Sequence, residues 1–97
     1  MSIKITKGPA AANIYKILDG NTIKSQLLLD WSFDAIDFKY LDNSWITLDI
    51  FNIKELDSEQ FNDFKDLANH ALIELKDHSE KTNNSLLQIT DLIKARV

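Results

Sequence analysis

The sequence predicts an α+β protein: an antiparallel sheet of four to five strands packed by a long helix at about 57–80 and a shorter C-terminal helix at about 86–96. Three observations predict it. Apolar and polar residues alternate through the first half of the chain, which is the period of half-buried strands. Between Asp57 and Glu80 the period lengthens to that of a helix, behind a full set of helix-start signals. The strands come before both helices, whereas βαβ units would interleave them.

Ile3 and Ile5 alternate with Lys4 and Thr6 as a first strand, which Gly8-Pro9 ends. A second strand, about 12–18, meets the hairpin signal Asp19-Gly20 and returns through 22–29 with Ile23, Ser25, Leu27 and Leu29 on one face. Residues 30–41 carry two patterns. Ile36, Phe38 and Tyr40 alternate with Asp37 and Lys39 as a strand requires, whereas Phe33, Ile36, Tyr40 and Leu41 fit a helical stripe behind Ser32. The strand is favoured because the following run offers it a partner. In 45–53, Ile46, Leu48 and Ile50 share one face and Trp45, Thr47, Asp49 and Phe51 the other, so the two runs read as a hairpin across Asp42-Asn43-Ser44.

The long helix opens on Asp57 as N-cap, with Gln60 as its capping-box partner and Leu56 and Phe61 at the hydrophobic-staple positions. At about 100° per residue, Phe61, Phe64, Leu67, Ala68, Ala71, Leu72 and Leu75 fall on one arc, the expected core face. On the other side Glu59, Asp63, Asp66, Glu74 and Asp77 form a stripe with His70 among them, and Ile73 beside it is an exposed apolar candidate. Like charges at i,i+3 and i,i+4 each cost a helix about 0.2–0.5 kcal/mol. Acids near its end, Glu74, Asp77 and Glu80, also oppose the helix dipole. Folding alone does not ask for that arrangement, and replacing Asp63, Asp66 and Glu74 by their amides is expected to stabilise the free protein slightly. After a loop at Asn83-Asn84-Ser85, Ser85 and Gln88 make a second capping box, with Leu86, Ile89, Leu92 and Ile93 on the inner face of the tail helix.

With 97 residues the chain is expected to be one domain, 1–97, with one modest core. It has no cysteine, hence no disulfide framework and no thiolate chemistry. The start, MSIKITKGPAAAN, lacks the apolar run of a signal peptide, and no stretch approaches a membrane span. A cytoplasmic protein is expected. The net charge of -4 conceals a segregation: residues 1–29 balance to +3, 30–80 to -9 with 13 acids, and 81–97 to +2. Such asymmetry bears on partners and association rate.

The residues for most site chemistries are missing. His70, Glu74 and His78 could align on one helix, but no second segment closes a metal site around them. Asp34 with Asp37, or Asp63 with Asp66, are acid pairs that any acidic protein supplies, and no histidine stands in a nucleophile motif. With only Gly8 and Gly20, no glycine loop can cradle a phosphate. Basic stripes interleaved with aromatics are absent, which argues against direct nucleic-acid binding. The expectation is a non-enzyme without cofactor or metal. Trp31, Phe33, Phe38, Tyr40, Trp45 and Phe51 crowd into residues 31–51 with Asp34, Asp37, Asp42 and Asp49 between them. Alternation sends some of them outward, Trp45 and Phe51 beside Asp49, and aromatic anchors ringed by charge are what protein interfaces use.

These features point to a binder whose acids occupy a basic, nucleic-acid-binding groove on another protein. Between Glu59 and Asp77 the helix would rise about 27 Å and show roughly one carboxylate per 5 Å. Duplex DNA carries one charge per about 1.7 Å, so Asp30, Asp34, Asp37, Asp42 and Asp49 would have to supply the remainder. A small acidic α+β chain with segregated carboxylates and no motifs or cysteines resembles the phage-encoded anti-CRISPR proteins and other DNA mimics. The resemblance implies an inhibitor, monomeric or homodimeric, that competes with target DNA for the lysines and arginines of a type I CRISPR surveillance complex in the host cytoplasm. The partner-binding residues would be Asp30, Asp34, Asp37, Asp49, Glu59, Asp63, Asp66, Glu74, Asp77, Trp45 and Ile73. The alternative is an immunity protein or antitoxin that neutralises a cognate nuclease toxin, with specificity resting more on the aromatic anchors.

Overall fold

Five strands form one antiparallel meander, in a computed structural model that describes residues 2–7, 12–30, 35–75 and 79–96. They are β1 (Ser2–Lys7), β2 (Ala12–Asp19), β3 (Thr22–Asp30), β4 (Ala35–Tyr40) and β5 (Ile46–Thr47), each paired with its neighbours in sequence. A 3-10 turn, Asn52–Glu55, leads into helix α1 (Ser58–Leu75), and α2 (Ser79–Arg96) follows. The Gly8-Pro9 break, Ser32, Trp31, Phe33, Asp34, Asp77 and His78 lie outside the described residues.

The sheet buries one face. Tyr15 on β2, Leu27 on β3 and Phe38 on β4 stand in cross-strand register, as do Leu29 and Ile36, and all five are fully covered. Against them pack Phe61, Phe64, Leu67, Ala68, Ala71 and Leu75 of α1 and Ile89 and Leu92 of α2. The α1 arc read from the sequence is therefore the core face, and Phe64 meets Phe38 edge-on at 6.2 Å between ring centres. The β2–β3 turn is Gly20-Asn21, one residue beyond Asp19-Gly20; Gly20 holds φ 64°, the first central position of a type II′ turn.

One expected register and three expected element boundaries change. The register between β2 and β3 slips where Ile17 pairs with Ser25 but Leu18 with Ile23, which makes Lys24 the extra residue of a β-bulge. Ile23 thereby leaves the inner face and is 38% exposed, while Ser25, Leu27 and Leu29 stay inside. The expected strand across 45–53 survives only as Ile46–Thr47. Asp49 Oδ1 accepts the N–H of Phe51 and of Asn52, and Asn52 Oδ1 accepts the N–H of Asp49, a local closure that outcompetes a ladder. Of the face Ile46, Leu48 and Ile50, only Leu48 is buried. α1 runs to Leu75, short of residue 80, and the tail helix starts at Ser79 instead of about 86, so Asn83-Asn84-Ser85 lies within a helix and not in the expected loop ahead of it.

Two ties hold the helical layer. Asp57 caps α1 as expected: its Oδ1 accepts the Gln60 N–H at 2.8 Å, Gln60 Oε1 accepts the Asp57 N–H, and Leu56 and Phe61 are both in the core. At the far end, the Arg96 guanidinium donates to the carbonyls of Ile53 and Leu56 and lies 4.6 Å over the Phe61 ring. Arg96 thus fastens α2 to the 3-10 turn and the start of α1.

Candidate protein-interaction surface

The acids of α1 do not make a free array. Asp63, placed in the solvent-facing stripe by the sequence, is only 4% exposed. Its position lies within about 40° of Leu67 on the helix wheel, at the border of the core arc, where β3 can reach it. The bulge turns Lys24 toward α1 beside Ser25, and both residues meet Asp63: Ser25 Oγ donates to Asp63 Oδ2 at 2.5 Å, and Lys24 Nζ stands 3.5 Å away. Lys24 Nζ also pairs with Glu59 at 2.9 Å. The hydrogen bond from Lys24, backed by its charge and by Tyr40, holds the Glu59 carboxyl below its usual range; the same bond raises Lys24. Burial first, then the Glu59 charge, raises Tyr40.

Farther along, Glu74 accepts the hydroxyl of the buried Tyr15 at 3.4 Å, and His70 stands edge-on to the Tyr15 ring. Burial, outweighing an opposing hydrogen bond with Asn13, and the nearby Glu74 charge push the Tyr15 hydroxyl up to about 12. Of the stripe, Asp66 remains exposed without a partner among the described residues. Of the acids in the stripe, Glu59 and Asp63 pair with Lys24 and Glu74 accepts from Tyr15, while Glu59, Asp66 and Glu74 stay exposed to solvent. Ser25 cannot serve as a nucleophile where it stands, since it is fully buried and its hydroxyl donates into a carboxylate. Among the described residues no three side chains converge as a metal site, and no helix is long and apolar enough to cross a membrane.

On the sheet, Asp37 accepts the Thr47 hydroxyl at 2.6 Å, which ties β4 to β5. Asp30 is half-buried at the end of β3 and already engaged. Asp49 is spent in part on closing its own loop.

The structure also exposes large apolar side chains. Trp45, Ile46, Ile50 and Phe51 all stand out of the core between β4 and the 3-10 turn, and Phe51 is 77% exposed. Leu41 precedes them with φ 52°, a left-handed backbone that a leucine rarely takes. Its N–H is held by the Lys24 carbonyl at 2.7 Å, so the bulge also anchors the start of this loop. Leu48 pins the middle, buried and with its N–H on the Ile36 carbonyl. Asp42, Asp49, Glu55 and Asp57 are the exposed acids interspersed with and following these side chains along the chain. Behind the loop, Leu48, Asp49 and Ile50 face Gln88, Asp91 and Leu92 of α2 across a pocket of about 230 Å³. Ile73, 71% exposed on α1, and Leu87 on α2 are further apolar side chains left in water. Trp45 and Ile73 are thus as accessible as expected, whereas the sequence reading missed Ile46, Ile50 and the pocket because it treated 45–53 as a regular strand.

The described residues define an antiparallel meander with one face covered by two helices, presenting a pinned apolar loop among carboxylates. No known protein family matches this chain, and no curated protein or solved structure is significantly similar to it.

Proposed function

We propose that the protein is a non-enzymatic inhibitor that occupies a basic, nucleic-acid-binding surface of another protein. One observation carries the reading: the loop 45–51 holds Trp45, Ile46, Ile50 and Phe51 in water on a backbone fixed by Leu48, Asp49 and Asn52. Ordered apolar anchors amid charge lose little entropy on docking and are typical of hot spots. The acid excess of residues 30–80 selects for a basic partner and speeds encounter with it. In its most specific form, as for the anti-CRISPR inhibitors the chain resembles in profile, the partner is a CRISPR surveillance complex whose lysines and arginines would otherwise hold target DNA.

The same exposed anchors favour a second reading, an immunity protein or antitoxin against a nuclease. Salt separates the two, because displacement of phosphate-like contacts is strongly salt-dependent and apolar docking is not. The test is to isolate the partner with the tagged protein from its native host and to measure that partner's nucleic-acid binding as the protein is added. Stoichiometric loss of nucleic-acid binding is expected. It should weaken at least about tenfold in the double variant Trp45→Ser, Phe51→Ser, compared under conditions where circular dichroism shows the variant folded. A partner that still binds nucleic acid when saturated, or a double variant that inhibits fully, would overturn the proposal.

A further inference from the structure

We propose that the pocket between residues 48–50 and α2 receives an arginine side chain of the partner, its stem against Leu48, Ile50 and Leu92 and its guanidinium at the carboxylates of Asp49 and Asp91. The inference rests on the reading of the protein as a binder of basic surfaces and gives that surface a residue.

The volume decides the size of the occupant. At about 230 Å³ the pocket falls below the roughly 300–1,000 Å³ of sites that enclose small-molecule ligands, and it suits a single long side chain. Its lining decides the chemistry. Three aliphatic side chains, one amide and two carboxylates line it, with no basic residue among them. An occupant must therefore be apolar along its length and cationic at its tip, which describes arginine and lysine. Between these, the fork of five N–H donors can serve two carboxylates and the Gln88 amide oxygen at once, and a guanidinium is less strongly hydrated than an ammonium.

The acceptors are held ready. Asp49 Oδ1 is fixed by the N–H groups of Phe51 and Asn52, while Asp49 Oδ2 and the whole Asp91 carboxylate have no partner among the described residues. Leu48 and Leu92 are buried core members, so the apolar floor of the pocket is continuous with the hydrophobic core. Trp45, Ile50 and Phe51 border the same loop, which places the arginine at the edge of the apolar anchors, where an interface desolvates its charge pairs.

The test uses the intact protein and N-acetyl-arginine amide, followed by amide NMR shifts. Saturable shifts at Ile50, Gln88, Asp91 and Leu92 are expected. N-acetyl-citrulline amide, of the same shape without the charge, should bind at least about tenfold more weakly, and so should the arginine probe to Asp91→Asn. Asp91 is exposed, and unchanged shift dispersion in the variant confirms its fold. Absence of saturable shifts, equal binding of citrulline, or equal binding of N-acetyl-lysine amide would each overturn the assignment. Because no partner protein is present, this result is independent of whether the loop inhibits nucleic-acid binding.

Discussion

Asp63 shows how far one side chain can depart from its place in a pattern. By sequence it belongs to an acidic stripe; in the fold it is the acceptor for a buried hydroxyl and a neighbour of Lys24. Removing it strands the Ser25 hydroxyl, so Asp63→Ala should cost about 1–3 kcal/mol in urea unfolding. Ser25→Ala in the Asp63→Ala background should then cost little, because no orphan is left. The combined amide replacement of Asp63, Asp66 and Glu74 keeps an acceptor for Ser25 but removes the buried charge facing Lys24, so it should destabilise the free protein, the reverse of the sequence expectation. Tyr15 supplies a second test, through pH. Its hydroxyl is raised from 10.0 to about 12, so the fold favours the protonated phenol. That contribution is complete below about pH 10 and is lost as pH rises through about 12, because the unfolded chain ionises first. Lys24, also raised, adds loss of the same sign above its usual range. Tyr15→Phe should flatten the alkaline fall in stability, measured as the shift in urea midpoint between about pH 8 and about pH 11. An unchanged fall would place the alkaline sensitivity at Lys24 or Tyr40.

At the scale of elements, legibility followed the strength of local chemistry. The start of α1 was fully readable, since Asp57, Gln60, Leu56 and Phe61 form a cap that works whatever surrounds it. Asp57→Ala should cost about 1 kcal/mol, read as a drop in thermal midpoint; no drop would mean the cap is redundant with the contacts of Leu56. The meander was readable from alternation, and β4 resolved the ambiguity of 30–41 in favour of a strand for Ala35–Tyr40. Two things were not. The bulge at Lys24 leaves no mark in composition, being a choice of register made between strands, yet it aims the cation that pairs with both Glu59 and Asp63. The stretch 48–52 alternates like a strand, but Asp49 and Asn52 satisfy their own backbone and end the ladder. Of the candidate site, Trp45 and Ile73 were visible as residues that alternation or the helix wheel sends outward. The pocket was not, because α2 residues Gln88, Asp91 and Leu92 meet the loop only once the chain has folded back.

For the molecule as a whole, charge and apolar surface are divided between two jobs. Near the bulge, acids and lysine stitch the helical layer to the sheet; around 45–57 exposed acids stand among apolar side chains that the core covers only in part. The meander has a further implication for how the chain reaches this state. Every strand pairs with its neighbour in sequence, so each hairpin can zip on a timescale of about 1–10 μs without waiting for a distant segment. The helical lid is slower to latch, since Arg96 must find the Ile53 carbonyl across 43 residues. Any opening of the helical layer would uncover Leu27, Phe38 and their neighbours on the sheet, so the latch at Arg96 also keeps an apolar face from association with other chains.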